Sequence, residues 1–324
     1  MGFIVASSTR REIGYIDPFI AIDFELGGNN DFEITLNLDD WSREFYDYGH
    51  LVYRPNTEFG GIIEDMEVNT KDNVIKLKGY TWRGLLTQKI IEPPSGEPYK
   101  TVNGEANSII RDIVSDEFGD LFVVDDIDSG ITLNYRFNRY VTVLEGLERM
   151  LKIVNHRLDI KFDNMTMQVK LQAVPIVDYS DEIEYSQDYQ LDFITRDYRC
   201  GINHLICLGS GELENREVVH LYMHPNGSVS DTKHYTGLDE RVAVFDYPNA
   251  ETTEELITSG TEKLIELANF KKLDMDIENI PAEIGDIVGG RERVTGMAMK
   301  EPITQKILRI ERGIEQIQFK VGDE

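Results

Sequence analysis

The chain has 324 residues and a mass of 37.2 kDa, a length that calls for two or more domains. Lys and Arg number 33 against 59 Asp and Glu, a formal net charge of −26. This balance excludes a groove-reading nucleic-acid binder, which needs a cationic face to displace counterions, and disfavours binding to an anionic membrane surface. Hydrophobic residues at 41% and aromatics at 10% are enough for packed cores.

Residues 32–38 alternate apolar and polar side chains, the period of a half-buried strand. Residues 74–79 repeat that pattern after the turn Lys71-Asp72-Asn73. The Pro-rich stretch 92–98 continues neither a helix nor a strand. Residues 101–118 read as a helix with Ile109, Ile110 and Ile113 on one face and Asn103 or Asn107 as its cap. A second helix is expected over 141–154, with Thr142 near its start. Residues 158–162 and 167–171 flank Asp163-Asn164, a hairpin signal. Residues 178–199 hold seven acids and two bases, which suits a linker or a solvated edge. The stretch 214–240 holds His220, His224 and His234 and reads as a long hairpin or insertion. Residues 252–267 form a third expected helix, with Leu256, Ile257, Leu264 and Leu267 inward and Glu254 and Glu255 suiting its N-terminal dipole. Residues 307–310 and 314–319 flank Arg312-Gly313 and make a closing hairpin.

These elements define an α+β class, mainly β. The expected domains are an N-terminal β unit at 1–95, an α/β middle at 96–190, and a second β unit at 191–324 with an insertion and helix near 210–275. A weak internal repeat links the two β units. Gly49-His50-Leu51-Val52 is followed eleven residues after Gly49 by Gly60, and Gly285-Asp286-Ile287-Val288 eleven residues after Gly285 by Gly296. Each copy then runs through strand-like sequence to a closing glycine, Gly79 or Gly322.

No catalytic motif is present. The phosphate-loop pattern GxxxxGK[ST] does not occur, and Gly209-Ser210-Gly211 lacks the spacing of a nucleophile elbow. His220 and His224 have the spacing of a helical zinc face, but no Glu lies between them and Pro225 follows. Asp126 to Gly130 resembles a calcium loop, yet its glycine comes one position early, so a turn is expected. The reading therefore assigns no catalytic residue, no cofactor and no metal. Cys200 and Cys207 build no disulfide framework and are expected as reduced thiols. No run is apolar enough to span a membrane, no membrane anchor is expected, and the N-terminus lacks a basic stretch for a signal peptide.

Taken in order, the residues resemble a known family. Phe32-Glu33-Ile34-Thr35-Leu36 and Trp41 come first, then Gly49-His50-Leu51-Val52 and Gly60-Gly61-Ile62-Ile63-Glu64. Gly79-Tyr80-Thr81-Trp82-Arg83-Gly84-Leu85-Leu86 follows, ahead of Ile90-Ile91-Glu92-Pro93-Pro94. The segments 196–209, 282–290 and 318–322 continue the likeness. The set is similar to the hub proteins of phage tail tips and baseplates, of the siphophage tail-hub type related to late control protein D and the myophage baseplate hub. The resemblance implies two similar small β-barrel, tube-forming domains with an inserted α/β domain. It implies a homotrimeric ring that joins tail tube to tip or baseplate and frames the DNA channel, with no specific grip on the DNA. Its partners would be other copies of itself, the tail-tube or distal tail protein, and tip or fibre proteins. Its place would be the virion, after assembly in the bacterial cytoplasm. Gly49, Gly60, Gly61, Gly79, Arg83, Gly285 and Gly296 are the assembly and barrel-corner candidates. Two further readings are a tail-associated peptidoglycan hydrolase and a host-surface carbohydrate binder using exposed Trp41 or Trp82. In such a hub much of the excess acid is expected to face the lumen or solvent, where an acidic wall repels DNA phosphates. Residues 291–324, near neutral with seven bases and six acids, are expected in barrel packing or subunit contact.

Overall fold

The computed structural model describes residues 2–115, 117–180, 193–198, 201–225, 227–248, 250, 252–268, 270–275, 277–278, 280–291, 294 and 298–321. In chain order the first stretch holds β1 (Ile4–Ala6), β2 (Glu12–Tyr15), β3 (Ala21–Leu26), β4 (Asp31–Asn37), β5 (Leu51–Tyr53), β6 (Gly60–Ile62), β7 (Asp65–Asn69), β8 (Val74–Tyr80) and α1 (Trp82–Thr87). Next come β9 (Ile90–Ile91), β10 (Thr101–Glu105), α2 (Ala106–Ser115), β11 (Phe122–Val123), β12 (Thr132–Arg136), β13 (Val141–Thr142), α3 (Val143–Lys152), β14 (His156–Asp163) and β15 (Gln168–Pro175). They are followed by β16 (Phe193–Tyr198), β17 (His204–Leu208), β18 (Val218–Met223), β19 (Val229–Ser230), β20 (Val242–Asp246), α4 (Thr253–Ala268) and β21 (Phe270–Met275). The last elements are β22 (Ile277–Glu278), β23 (Ile287–Arg291), β24 (Ala298–Glu311) and β25 (Ile314–Val321).

The chain folds as two compact units, one of residues 1–193 with 275–324 and one of residues 194–274. The expected third stretch, 191–324, thus contributes to both. In unit 1 an eight-stranded sheet runs β22-β25-β24-β3-β4-β8-β7, with β23 paired to β24. The closing hairpin therefore adds to the N-terminal sheet: Leu308 of β24 stands opposite Phe24 of β3. Arg312 (φ 52°) and Gly313 (φ 78°) make its two-residue turn, the left-handed geometry that matches strand twist. Among the described residues the sheets do not close into barrels, because β22 and β7 stand at opposite edges of this one.

Period-two alternation puts Ile22, Phe24, Leu26, Phe32, Ile34, Leu36, Ile75 and Leu77 inside. Phe24 stacks between Phe3 and Phe32, with ring centroids 5.0 Å away on each side. A second sheet, β2-β1-β5-β6, shares a core with the α/β elements. Phe162 of β14 stacks on Trp82 at 5.2 Å and packs on Tyr53 at 4.2 Å. The Pro-rich loop is irregular, as expected, but residues on both sides of it share this core.

Two local readings change. Residues 101–105 form a strand paired with β12, and α2 begins only at Ala106. The cap is neither Asn103 nor Asn107 but the Glu105 carboxylate, which accepts from the Asn107 and Ser108 amides at 2.9 and 2.7 Å. Asn107 lies buried in the first turn, where it donates to the Ile127 carbonyl and accepts from the Ala173 amide, both at 2.8 Å. In α4 the buried stripe is Leu256, Gly260 and Leu264, and Ile257, expected inward, is 39% exposed. Gly260 sets that rotation. A Cβ there would stand 2.5 Å from Cys207 Sγ, so this face alone can approach the sheet of unit 2. Thr142 and Thr252 cap α3 and the start of α4 by accepting from Glu145 and Glu255 amides, each at 3.2 Å.

Burial pushes the Glu105 carboxyl up, but hydrogen bonds from Ser129 and from the Asn107 and Ser108 amides outweigh it and bring it down to about 2. A group lowered in the folded state stabilises above its unfolded value, about 4.3 for Glu, and loses that contribution as pH falls toward 2. Acid titration of unfolding should show this loss in the native chain, and Glu105→Gln should flatten it over that window.

Candidate assembly site

The repeat read from the sequence has a structural counterpart within unit 1. In the first copy Gly49 (φ 78°) donates to the Ile63 carbonyl at 2.8 Å, and Ile63 donates back to the His50 carbonyl at 2.9 Å. In the second copy Gly285 (φ 95°) donates to the Ile303 carbonyl at 2.9 Å, and Ile303 donates back to the Asp286 carbonyl at 2.8 Å. Each copy is preceded by the same turn, His50 N to Asp47 O and Asp286 N to Glu283 O. In each copy the side chain after the glycine also bonds the backbone just before it. His50 Nδ1 donates to the Phe45 carbonyl at 3.0 Å, and Asp286 Oδ2 accepts from the Glu283 amide at 2.9 Å. The strands that follow, β5 and β23, then pair antiparallel with β6 and β24.

The second copy is fastened to the α/β elements. Asp286 is 1% exposed, and its Oδ1 accepts from Arg157 Nε at 2.9 Å and from the Val177 amide at 3.0 Å. A side chain at Gly285 would meet Arg157 Cβ at 3.0 Å in a left-handed backbone, so glycine is required on both counts.

In the first copy the glycines serve close approach. A Cβ on Gly60 would lie 2.4 Å from Trp82 Nε1, on Gly61 2.2 Å from the Tyr80 carbonyl, and on Gly79 1.8 Å from the Ile62 carbonyl. The small sheet and β8 cross here with backbone against backbone, bridged at Gly61 and Thr81. Thr81 caps α1 by accepting from the Gly84 amide at 3.1 Å.

Helix α1 delivers Arg83 into the interior, 2% exposed. Its Nε donates to Glu58 Oε1 at 2.6 Å and its Nη2 to Glu58 Oε2 at 3.2 Å, a bidentate pair. Its Nη1 donates to Glu148 of α3. Burial works against the charge, but Glu58 and Glu148 outweigh it and hold the guanidinium above its ordinary value. Glu283, from the second copy's turn, adds to that field and also pairs with Lys306 at 2.6 Å. Lys306 itself is 8% exposed, with its ammonium 5.3 Å from the Phe59 ring centroid and 5.6 Å from that of Phe319.

Of the residues singled out in the sequence, the structure brings Gly60, Gly61, Gly79 and Arg83 to one crossing. Gly49 and Gly285 sit at equivalent turns, and Gly296 lies outside the described residues, as do Gly322 and Cys200. Glu58, Glu148, Arg157 and Lys306 carried no signal beyond being charged residues in a chain rich in charge, and Asp286 was marked only as part of the repeated phrase. Trp82 is fully buried against Gly60 and Phe162, which removes it as an exposed sugar platform. Among the described residues no three His, Cys, Asp or Glu side chains gather as a metal site. His220 and His224 lie on or beside β18, not on a helix, and bond to His204 and Ser230.

No family model matches the chain. Solved structures match it from end to end. The prophage MuSo2 43 kDa tail protein from Shewanella oneidensis gives a TM-score of 0.58 at 14% identity, over 99% of this chain and 98% of that one. A tail protein from Neisseria meningitidis MC58 gives 0.56 at 12% identity, over 100% and 97%. Prophage tail protein gp18 from Listeria monocytogenes EGD-e gives 0.55 at 11% identity, over 99% and 94%. The fold is that of phage tail proteins, the class to which the hub resemblance pointed. In sequence, 31% identity over 93 residues relates 29% of this chain to 85% of Uncharacterized protein 18 of Sulfolobus islandicus filamentous virus (isolate Iceland/Hveragerdi). The chain belongs to the family of that viral protein.

Arg83→Met should cost about 3–5 kcal/mol, because it leaves Glu58 charged, buried and unpaired. Urea unfolding checks this, and Glu58→Gln in that background should recover part of the loss. Gly79→Ala should cost about 1–3 kcal/mol or more by forcing two backbones apart, read as a lower urea midpoint at unchanged slope.

Proposed function

We propose that the chain is a structural subunit of a phage or prophage tail, a hub that joins the tail tube to the tip or baseplate. The observation that carries this reading is the fold likeness to three tail proteins over 99–100% of the chain. The twin turn-and-strand modules support the finer reading. A chain that carries one motif twice can present two similar surfaces to a ring, so three copies match a sixfold tube to a threefold tip. On this reading the two turn-and-strand modules close into barrels with neighbouring elements of the ring. The partners are two further copies, the tail-tube or distal tail protein, and tip or fibre proteins. The work is mechanical, without catalysis, in a virion assembled in the bacterial cytoplasm.

The charge has a place in this proposal. The outward face of the large sheet in unit 1 is a concavity of about 640 Å³ lined by Asp23, Glu25, Asp31, Glu33, Glu64 and Asp65, with Lys78 and Arg309 as its bases. Burial chiefly, with the neighbouring carboxylates Glu25 and Asp23 adding to it, pushes the Asp31 carboxyl above its ordinary range. We assign this face to the channel wall, where it repels phosphates and lets DNA pass without being held.

Native mass measurement should give a trimer of about three times 37.2 kDa, alone or with its tube protein. A monomer under both conditions would overturn the ring. Asp31→Lys with Glu64→Lys should leave thermal stability within about 0.5 kcal/mol, as for exposed sites, and slow DNA ejection from assembled particles. Unchanged ejection would place the acids elsewhere.

A further inference from the structure

Four of the six histidines, His204, His220, His224 and His234, fall in unit 2. Its sheet runs β19-β18-β17-β20, and α4 covers one face through Leu256, Gly260 and Leu264. On the face turned away from α4, His204 of β17 and His220 of β18 form a hydrogen-bonded chain. His204 is 7% exposed. Its Nδ1 lies 2.7 Å from Glu240 Oε1, and its Nε2 lies 2.8 Å from His220 Nδ1. Its ring stacks on Tyr222, with centroids 4.4 Å apart.

The chemistry of the ends fixes the direction of each bond. Lys233 and His204 hold the Glu240 carboxyl below its ordinary range, against a smaller effect of burial. It therefore stays ionised and only accepts. His204 must donate through Nδ1. With His204 neutral, its Nε2 accepts, so His220 donates through Nδ1. One added proton leaves the chain whole: His204 donates on both sides and His220 accepts. A second added proton sets two N–H groups face to face with no acceptor between them, and two like charges in contact. Among the described residues, Glu240 is the carboxylate in contact with the pair, and Lys233 reaches it through Glu240 at 2.6 Å. From β20, Val242 lies beside His204, and Val244 shares a row with Ile206 and His220. These neighbours supply no second acceptor.

We propose that His204 and His220 form a two-position latch on this face of unit 2. It is closed while the pair holds at most one added proton. It opens, with the exposed His220 ring swung into solvent, when both rings are charged. The opened face bears two imidazolium cations where the closed, ring-stacked face bears at most one, a change that any partner seated there would feel.

The test is NMR of the full chain with nitrogen-labelled histidine, from about pH 8 to about pH 5, the range over which imidazoles change charge. At the upper end both rings should be Nδ1–H tautomers. The ring-to-ring contact between His204 and His220 should persist through the first protonation. It should be lost when the spectra show both rings protonated at both nitrogens. In His220→Gln the amide can donate or accept, so the contact with His204 should survive the whole range. An Nε2–H tautomer on either ring at the upper end overturns the proposal, as does a ring contact that survives double protonation. If His220→Gln does not fold, those two readings on the native chain still decide.

Discussion

The interior charge of Arg83 is the constraint around which unit 1 is organised. A guanidinium cannot be left dry without partners, and a buried carboxylate cannot either. Arg83 comes from α1, Glu58 from the loop between β5 and β6, and Glu148 from α3. The bidentate pair and the third contact together restrict how these three elements can be placed. Such a pair is not a strong source of net stability, since desolvation offsets most of the attraction. Its effect is on alternatives: any arrangement that separates the partners strands a charge in a low-dielectric core. The aromatic stack of Tyr53, Phe162 and Trp82 fills space around the same crossing, so packing and electrostatics specify one geometry.

The chain's two ends meet in one sheet. β24 lies beside β3 although most of the sequence separates them. Unit 2 lies within that long connection as an insertion that forms its own core around Leu205, Cys207, Leu221, Leu256 and Leu264. An inserted unit with its own core shortens the loop that β24 must close, and loop-closure entropy grows only slowly with length in any case. The twin modules at Gly49 and Gly285 flank this insertion. Their shared pattern rests on backbone amides and carbonyls, while the side chains differ: His50 donates to the Phe45 carbonyl in one copy, and Asp286 accepts from the Glu283 amide in the other. Backbone hydrogen bonding does not require identical side chains, so the repeat is faint in sequence and plain in structure.

Much of the secondary structure was legible because it follows from local rules. Alternation gave β4 and β8, the Arg312-Gly313 pair gave the closing turn, and Thr142 marked the start of α3. The misread helix start at 101–105 had a local cause too. Val102 and Asn103 fit a helical window as well as a strand, and only pairing with β12 decides between them. Ile257 was misassigned because two apolar faces of α4 compete, and the missing side chain at Gly260 selects one of them. At the site, the sequence named Gly60, Gly61, Gly79 and Arg83 through family resemblance. Why they matter together lies in distances of a few ångströms that no spacing encodes.

By itself the sequence determined the chain's class, its excess of acid, most of its strands and helices, and the presence of a repeated Gly-strand phrase. These depend on composition, period and turn chemistry, which act over a few residues. Tertiary structure alone decided that the closing hairpin joins the first sheet, that Glu58 and Glu148 are the partners of Arg83, that Asp286 holds Arg157, and that His204 meets His220. Each of these pairs residues distant in sequence, or residues of one kind among many. With 59 acids available to 33 bases, the choice of partner follows from which side chains the fold brings within hydrogen-bond reach and removes from water.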